Sequence, residues 1–310
     1  MKIVFMGTPD FAVPSLLELV KDGHEVAAVF TREDKPKGRG YAMQPTPVKI
    51  AAQQLQIPVY TPKTLKTDDV LQTLKIIAPD VIVVVAYGRI LPESVLQLPP
   101  LGCINVHGSL LPKYRGAAPM QWAVINGEST TGVTTMLMDA GIDTGDMLEK
   151  TEIEILPGDD FEAVHNNLMQ AGALLLVQTL KKLQNGELTH IKQDDSISTY
   201  APLITKQMCK IDWNRSATEI NNLIRGLSPF PGAFGLYGGK KLKIFKATPQ
   251  NLPSDSNVTA GEIILVQPLT VACAGSALTL EEVQLEGKKR MQTSEFLRGF
   301  KLNVGERLDG

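Results

Sequence analysis

Residues Gly102–Gly116 read GCINVHGSLLPKYRG. Cys103 to Val106 is a short apolar run of the kind that forms a buried strand. It empties into a polar loop punctuated by Gly108, Pro112 and Gly116. Asn105 and His107 stand two apart, so an extended backbone projects both side chains to one face. An amide able to donate to a developing oxyanion then stands beside an imidazole able to move a proton near neutral pH. A second loop, Met138–Met147 (MDAGIDTGDM), follows another expected strand, Gly132 to Met138, and carries the acidic Asp143. Asn105, His107 and Asp143 together suit acyl transfer.

The flanking sequence supplies a frame for these loops. Lys2 to Met6 and Glu25 to Phe30 read as strands, and Phe11 to Lys21 between them as a helix capped by Thr8 or Asp10. Strand, turn, helix, strand is the order of a doubly wound α/β sheet. The turn is Gly7-Thr8-Pro9-Asp10, not G-x-G-x-x-G, which disfavours a nicotinamide dinucleotide. Val81 to Ala86 is wholly apolar and suits a central strand buried on both faces. Ligands of such sheets lie beyond the carboxyl ends of the strands. The loops at 87–92, 107–116 and 139–145 all begin at such ends and are expected to converge. A long amphipathic helix follows, capped by Asp159 or Asp160 and running to about Leu183, with His165 as a structural residue inside it.

Residues 31–47 (TREDKPKGRGYAMQPTP) break the pattern with three Pro, two Gly and four basic residues. A loop of that length in a compact domain is often functional. It reads either as a solvated surface loop or as a basic finger that orders on a phosphate backbone.

Length and composition bound the rest. The chain has 310 residues, which suits two domains, with 43% hydrophobic and 21% charged residues. No apolar run is long enough to cross a bilayer, and the N-terminus lacks the pattern of a signal peptide. Cys103, Cys209 and Cys273 are odd in number and far apart, suggesting neither disulfides nor a zinc site. A cytoplasmic protein without a metal is expected. From Lys206 onward there are fourteen Lys/Arg against ten Asp/Glu, so the expected second domain is mildly basic and permits an anionic partner. That domain holds a helix, Thr218 to Arg225, and then short strands separated by turn residues: Ala233 to Tyr237, Lys241 to Ala247, Glu262 to Gln267, Leu269 to Cys273 and Ala277 to Gln284. The pattern suggests a small antiparallel barrel. Lys240, Lys241, Lys243 and Lys246 offer one positive face, and Lys288, Lys289 and Arg290 another.

Asn105-x-His107-x-Ser109-Leu110-Leu111-Pro112, then Tyr114-Arg115-Gly116, then Asp143-Thr144-Gly145, resembles the signature of the folate-dependent formyltransferases. The likeness extends to MGTPDFAVPSL, VVVAYGRILP and SPFPGAF, and so spans nearly the whole chain. It implies a Rossmann-like formyltransferase domain at 1–189, a linker at 190–207, and an OB-like barrel at 208–310 that binds tRNA. It implies 10-formyltetrahydrofolate as cosubstrate, no metal, and methionyl initiator tRNA as acceptor. By the same resemblance Asn105 donates to the oxyanion, His107 passes the proton and Asp143 holds the imidazole. Ser109, Leu110, Leu111 and Pro112 line the folate pocket, with Arg89, Ile90 and Leu91 beside the pterin. Lys35, Lys37, Arg39 and Tyr41 belong to the finger that grips the acceptor end of tRNA. An amino sugar nucleotide is the rival acceptor within the same fold. A non-catalytic RNA-binding protein is the rival from another class.

Overall fold

The computed structural model describes residues 1–37, 42–252 and 257–309. It contains two compact units, each assembled from more than one stretch of chain. One comprises 1–116, 130–153 and 165–201, the other 117–129, 154–164 and 202–310.

The first unit is built on a seven-stranded sheet. In spatial order its strands are Met147–Glu154, Thr130–Leu137, Cys103–His107, Val81–Val85, Lys2–Gly7, Glu25–Phe30 and Val59–Tyr60. From Cys103–His107 to Val59–Tyr60 all neighbours run parallel, while Thr130–Leu137 pairs antiparallel to Cys103–His107. Ile3, Val4, Phe5 and Met6 are all sealed from solvent, as are Val81, Ile82 and Val83. Both faces of these strands are therefore covered, which is why their sequences are continuous apolar runs and do not alternate. Burying each such side chain contributes roughly 1.5–3 kcal/mol.

Some boundaries differ from the expectation. The first helix is preceded by a 3-10 turn at Asp10–Ala12 and runs from Val13 to Lys21. Thr8 caps nothing: its hydroxyl donates to the Tyr87 carbonyl at 2.9 Å, while Asp10 accepts from the Phe11 amide. Asp160 accepts from the Ala163 amide near the start of the long helix, whereas Asp159 turns back to the Leu156 amide. The stretch 31–47 is not simply a loop. Lys35–Lys37 and Ala42–Gln44 pair antiparallel, pinned at the root by the Lys49–Asp34 ion pair and a Thr31–Thr46 hydrogen bond.

The second unit carries an antiparallel sheet in the order Ala233–Tyr237, Lys240–Asn251, Ser276–Leu285, Leu269–Cys273 and Ile263–Val266. The C-terminal segment joins its two edges. Gly305, Glu306 and Leu308 bond to the backbone of Gly261 and Ile263, and Asp309 exchanges two bonds with Leu236. That closure turns the sheet into a barrel, leaving neither edge open there. The helix Ala217–Leu227 opens with a Ser216/Glu219 capping box and buries Ile220, Ile224 and Leu227 against the barrel core with Trp213 and Phe296.

Among the described residues no helix is long and apolar enough to cross a membrane. Burial pushes the Cys103 and Cys273 thiols up to about 12, and the Cys209 thiol upward as well. In the unfolded chain these thiols ionise first, near their ordinary value. Stability from this source is therefore complete below about pH 8.5 and declines as pH rises toward about 12. The native protein at pH 8 is expected to resist a thiol-alkylating reagent, and to react at three sites once denaturant is added. Mass spectrometry of the labelled chain checks this, and rapid native labelling of Cys103 or Cys273 would contradict it.

Candidate active site

The parallel strand Cys103–His107 ends in the site. Asn105 lies in register between Val84 and Met136, and His107 lies opposite Thr134. The period-two expectation is met, with both residues on one face. His107 is 6% exposed, so its ring nitrogens need partners inside the protein. Nε2 lies 2.9 Å from the Tyr114 carbonyl, and Nδ1 lies 3.6 Å from Asp143 Oδ2. A carbonyl can only accept, so Nε2 carries the hydrogen in the neutral ring and Nδ1 presents the lone pair. The same Oδ2 accepts from the Gly116 amide at 2.8 Å. Among the described residues the Asn105 amide is held by no hydrogen bond, which leaves its N–H groups available to a ligand.

The loops that shape this corner are unusual backbone. Asp143 has φ +54° and Tyr114 has φ +60°, both left-handed for residues with a Cβ. Such positions cost on the order of 1–3 kcal/mol and persist only where surrounding bonds over-determine them. Gly116 has φ +113°, and a Cβ there would meet the Tyr200 ring at 2.7 Å and the Ala201 carbonyl at 2.8 Å. Gly145 backs onto the Leu137 carbonyl, where a Cβ would stand 1.8 Å away. Gly116 thus lets its loop lie against Tyr200–Ala201, and Gly145 lets its loop fold back on the end of Thr130–Leu137.

What holds the loops is the segment 191–201, which the sequence had suggested was linker. Gln193 Nε2 donates to the Asp143 carbonyl at 2.8 Å and to the Gly145 carbonyl at 2.7 Å, while its Oε1 accepts from Arg115 Nε. Arg115 also pairs with Asp195 at 2.8 Å. Thr199 bonds to Pro112, Tyr114 and Arg115, and Tyr200–Ala201 pairs in parallel with Arg115–Gly116. No motif in the sequence marks Gln193 or Thr199.

The remaining expected site residues take varied places. Ser109 is fully buried, with its hydroxyl on the Lys113 carbonyl. The Leu111 amide and the Ser109 carbonyl both bond to Thr134 Oγ1, and the Leu111 side chain packs with Met136 and Met147. Lys150 donates to the Leu111 carbonyl, and burial lowers the pKa of its amine. Leu110 lies against Gly132, and Pro112 is buried. The side chains of Ser109 and Leu111 are thus engaged within the protein. Leu91 likewise belongs to the core beneath the sheet with Val4, Met6 and Tyr87. Ile90 is 80% exposed, and Arg89 reaches the Lys63 carbonyl and lies 3.8 Å from Glu33. Lys35 is exposed on the hairpin. Arg39, Tyr41 and the Lys37 side chain lie outside the described residues.

Several basic residues of the second unit are engaged by neighbours. Lys241 lies over the Phe234 ring and Lys243 donates to the Pro231 carbonyl. Lys246 pairs with Glu281, while Arg290 makes two bonds to Glu282 and covers the Phe245 ring.

Comparison with known proteins defines the class. The family model described as "Formyl transferase" matches residues 1–180, and that described as "Formyl transferase, C-terminal domain" matches residues 203–301. The chain belongs to the methionyl-tRNA formyltransferase family. The protein of that name from Caldanaerobacter subterraneus subsp. tengcongensis is 51% identical over 98% of this chain and 99% of its own length. The one from Geobacter sulfurreducens is 47% identical over 99% of this chain and 96% of its own. In fold the chain is similar to HypX from Aquifex aeolicus, solved in complex with tetrahydrofolic acid. The TM-score is 0.66 and the identity 16%, over 99% of this chain and 48% of that one.

Proposed function

We propose that this protein moves the formyl group of 10-formyltetrahydrofolate to the α-amine of methionyl initiator tRNA, in the cytoplasm and without a metal. The acceptor follows from full-length relatives at 47% and 51% identity that bear the name methionyl-tRNA formyltransferase. The chemistry rests on one observation: His107 is locked with Nε2 on the Tyr114 carbonyl and Nδ1 toward Asp143.

The amine attacks the formyl carbon, a new C–N bond forms, and the carbonyl oxygen becomes an oxyanion. Asn105 donates to that oxyanion. His107 takes the proton shed by the amine at Nδ1, next to the Asp143 carboxylate, and returns it to N10 as the old C–N bond breaks. The amine is itself the nucleophile, so no covalent enzyme intermediate is needed. Folate is met by Ile90 and by the backbone of 87–92 and 109–112, with Arg89, Leu91 and Ser109 to Pro112 holding that backbone in place. Residues 1–189 carry this chemistry. Residues 208–310 and the stretch 31–47, with Lys35, Lys37, Arg39 and Tyr41, meet the tRNA, where Tyr41 can stack on a base.

Formyl transfer from 10-formyltetrahydrofolate is measured with charged initiator tRNA, charged elongator tRNA and an amino sugar nucleotide in parallel. Transfer to initiator tRNA alone is expected. Transfer to the sugar and not to tRNA would keep the site and replace the acceptor.

A further inference from the structure

Asp143 is an awkward residue to hold in place. It sits at φ +54° in the loop 139–145, and its carboxylate must face both the Gly116 amide and His107 Nδ1. Asp139 and Thr144 tie the outer part of this loop to itself, through Thr144 Oγ1 and the Gly141 amide on the Asp139 carboxylate. Those bonds do not reach Asp143. The side chain that does is Gln193. Its amide nitrogen spends both hydrogens on the carbonyls of Asp143 and Gly145, and its oxygen takes the Arg115 guanidinium. Arg115 is next to Tyr114, whose carbonyl holds His107, and next to Gly116, whose amide holds Asp143.

We infer that Gln193 is a positioning residue for the formyl transfer. It couples the Asp143 loop to the 114–116 loop and so sets the separation of the His107 imidazole and the Asp143 carboxylate. This rests on the function proposed above. Gln193 touches neither reacting atom. Its effect comes through geometry, and misplacing a reacting group by about 1 Å can cost about 100-fold in rate. A carboxamide is the side chain that fits: two donors for two carbonyls and one acceptor for a guanidinium. Glutamate at this position would keep the acceptor for Arg115 but turn its other oxygen, which cannot donate, toward the two carbonyls. Alanine would remove all three bonds and leave the two carbonyls with one partner fewer each.

The test uses the full chain with Gln193→Ala and Gln193→Glu, each alone and combined with Asp143→Ala. Either single variant is expected to lower kcat by about 10- to 100-fold while the KM values for folate and tRNA stay within about twofold. In the Asp143→Ala background the same change is expected to cost less than about twofold, because the group that Gln193 positions has gone. Hydrogen exchange at the Gly116 amide is expected to quicken in Gln193→Ala, a readout that needs no catalysis. Wild-type kcat in both single variants, full additivity with Asp143→Ala, or unchanged Gly116 exchange would each overturn the inference. If the parent protein formylated none of the acceptors, the proposed function would fall, while the exchange at Gly116 would still report whether Gln193 holds the loop.

Discussion

Replacing His107 by alanine is expected to lower kcat for formyl transfer by about 1,000-fold, within the usual range for loss of a positioned acid–base group. That factor corresponds to about 4 kcal/mol of transition-state stabilisation. The ring is buried and carries two contacts of opposite kind, a donated bond to Tyr114 and an approach to Asp143. No other described histidine can substitute. His24 packs near Asp22, His165 against Phe11 and Asp10, and His190 near Asp146. The loss is expected in kcat and not in KM, since the imidazole acts on a proton that moves only during reaction. The variant also leaves the Tyr114 carbonyl and the Asp143 carboxylate with one partner fewer, so the melting temperature should fall by a few degrees. Single-turnover transfer at saturating substrates separates the two effects. A kcat within threefold of the parent in a folded His107→Ala protein would remove His107 from the chemistry and leave the proton to water or to substrate.

The sheet was legible in the sequence because its central strands are buried on both faces. Val81–Val85 and Lys2–Gly7 could be read from their continuous apolar runs alone. The pairing of Asn105 with His107 was legible for a similar reason, since a strand returns every second side chain to one face. The 139–145 loop was expected to converge on His107 because it follows a strand, but Thr130–Leu137 runs antiparallel to Cys103–His107, so strand direction alone does not bring Asp143 to the imidazole. The strap at 191–201 was illegible for a physical reason: its work is done by one carboxamide, one threonine and backbone, none of which imposes a periodic pattern. The closing of the barrel by 305–309 is likewise a backbone event, with Leu308 as its one buried anchor among Gly305, Glu306, Arg307 and Asp309. In the loop after Val81–Val85 the apolar pair Ile90-Leu91 looks uniform in sequence. The backbone sends Leu91 into the core and Ile90 outward. Only the second can offer a side chain to a ligand.

Asn105 supplies the second large effect. Asn105→Ala is expected to cost about 100- to 1,000-fold in kcat, the usual consequence of losing one oxyanion donor. Asn105→Asp should be worse than alanine. It nearly preserves size and shape between Val84 and Met136, so packing in the sheet is kept, but it puts a carboxylate where negative charge develops. This ordering separates catalysis from structure. If Asn105 merely stabilised the strand, the near-isosteric aspartate would be the milder change, and both variants would lose melting temperature in step with activity. If it donates to the oxyanion, aspartate is the more damaging change at comparable folded stability. The ground-state formyl oxygen carries little charge, so KM for the folate should move less than kcat in both variants. Paired measurements of kcat and thermal unfolding decide the matter. An Asn105→Asp protein more active than Asn105→Ala would mean that the oxyanion is held by other donors, and His107, protonated after accepting the amine's hydrogen, would be the first to examine.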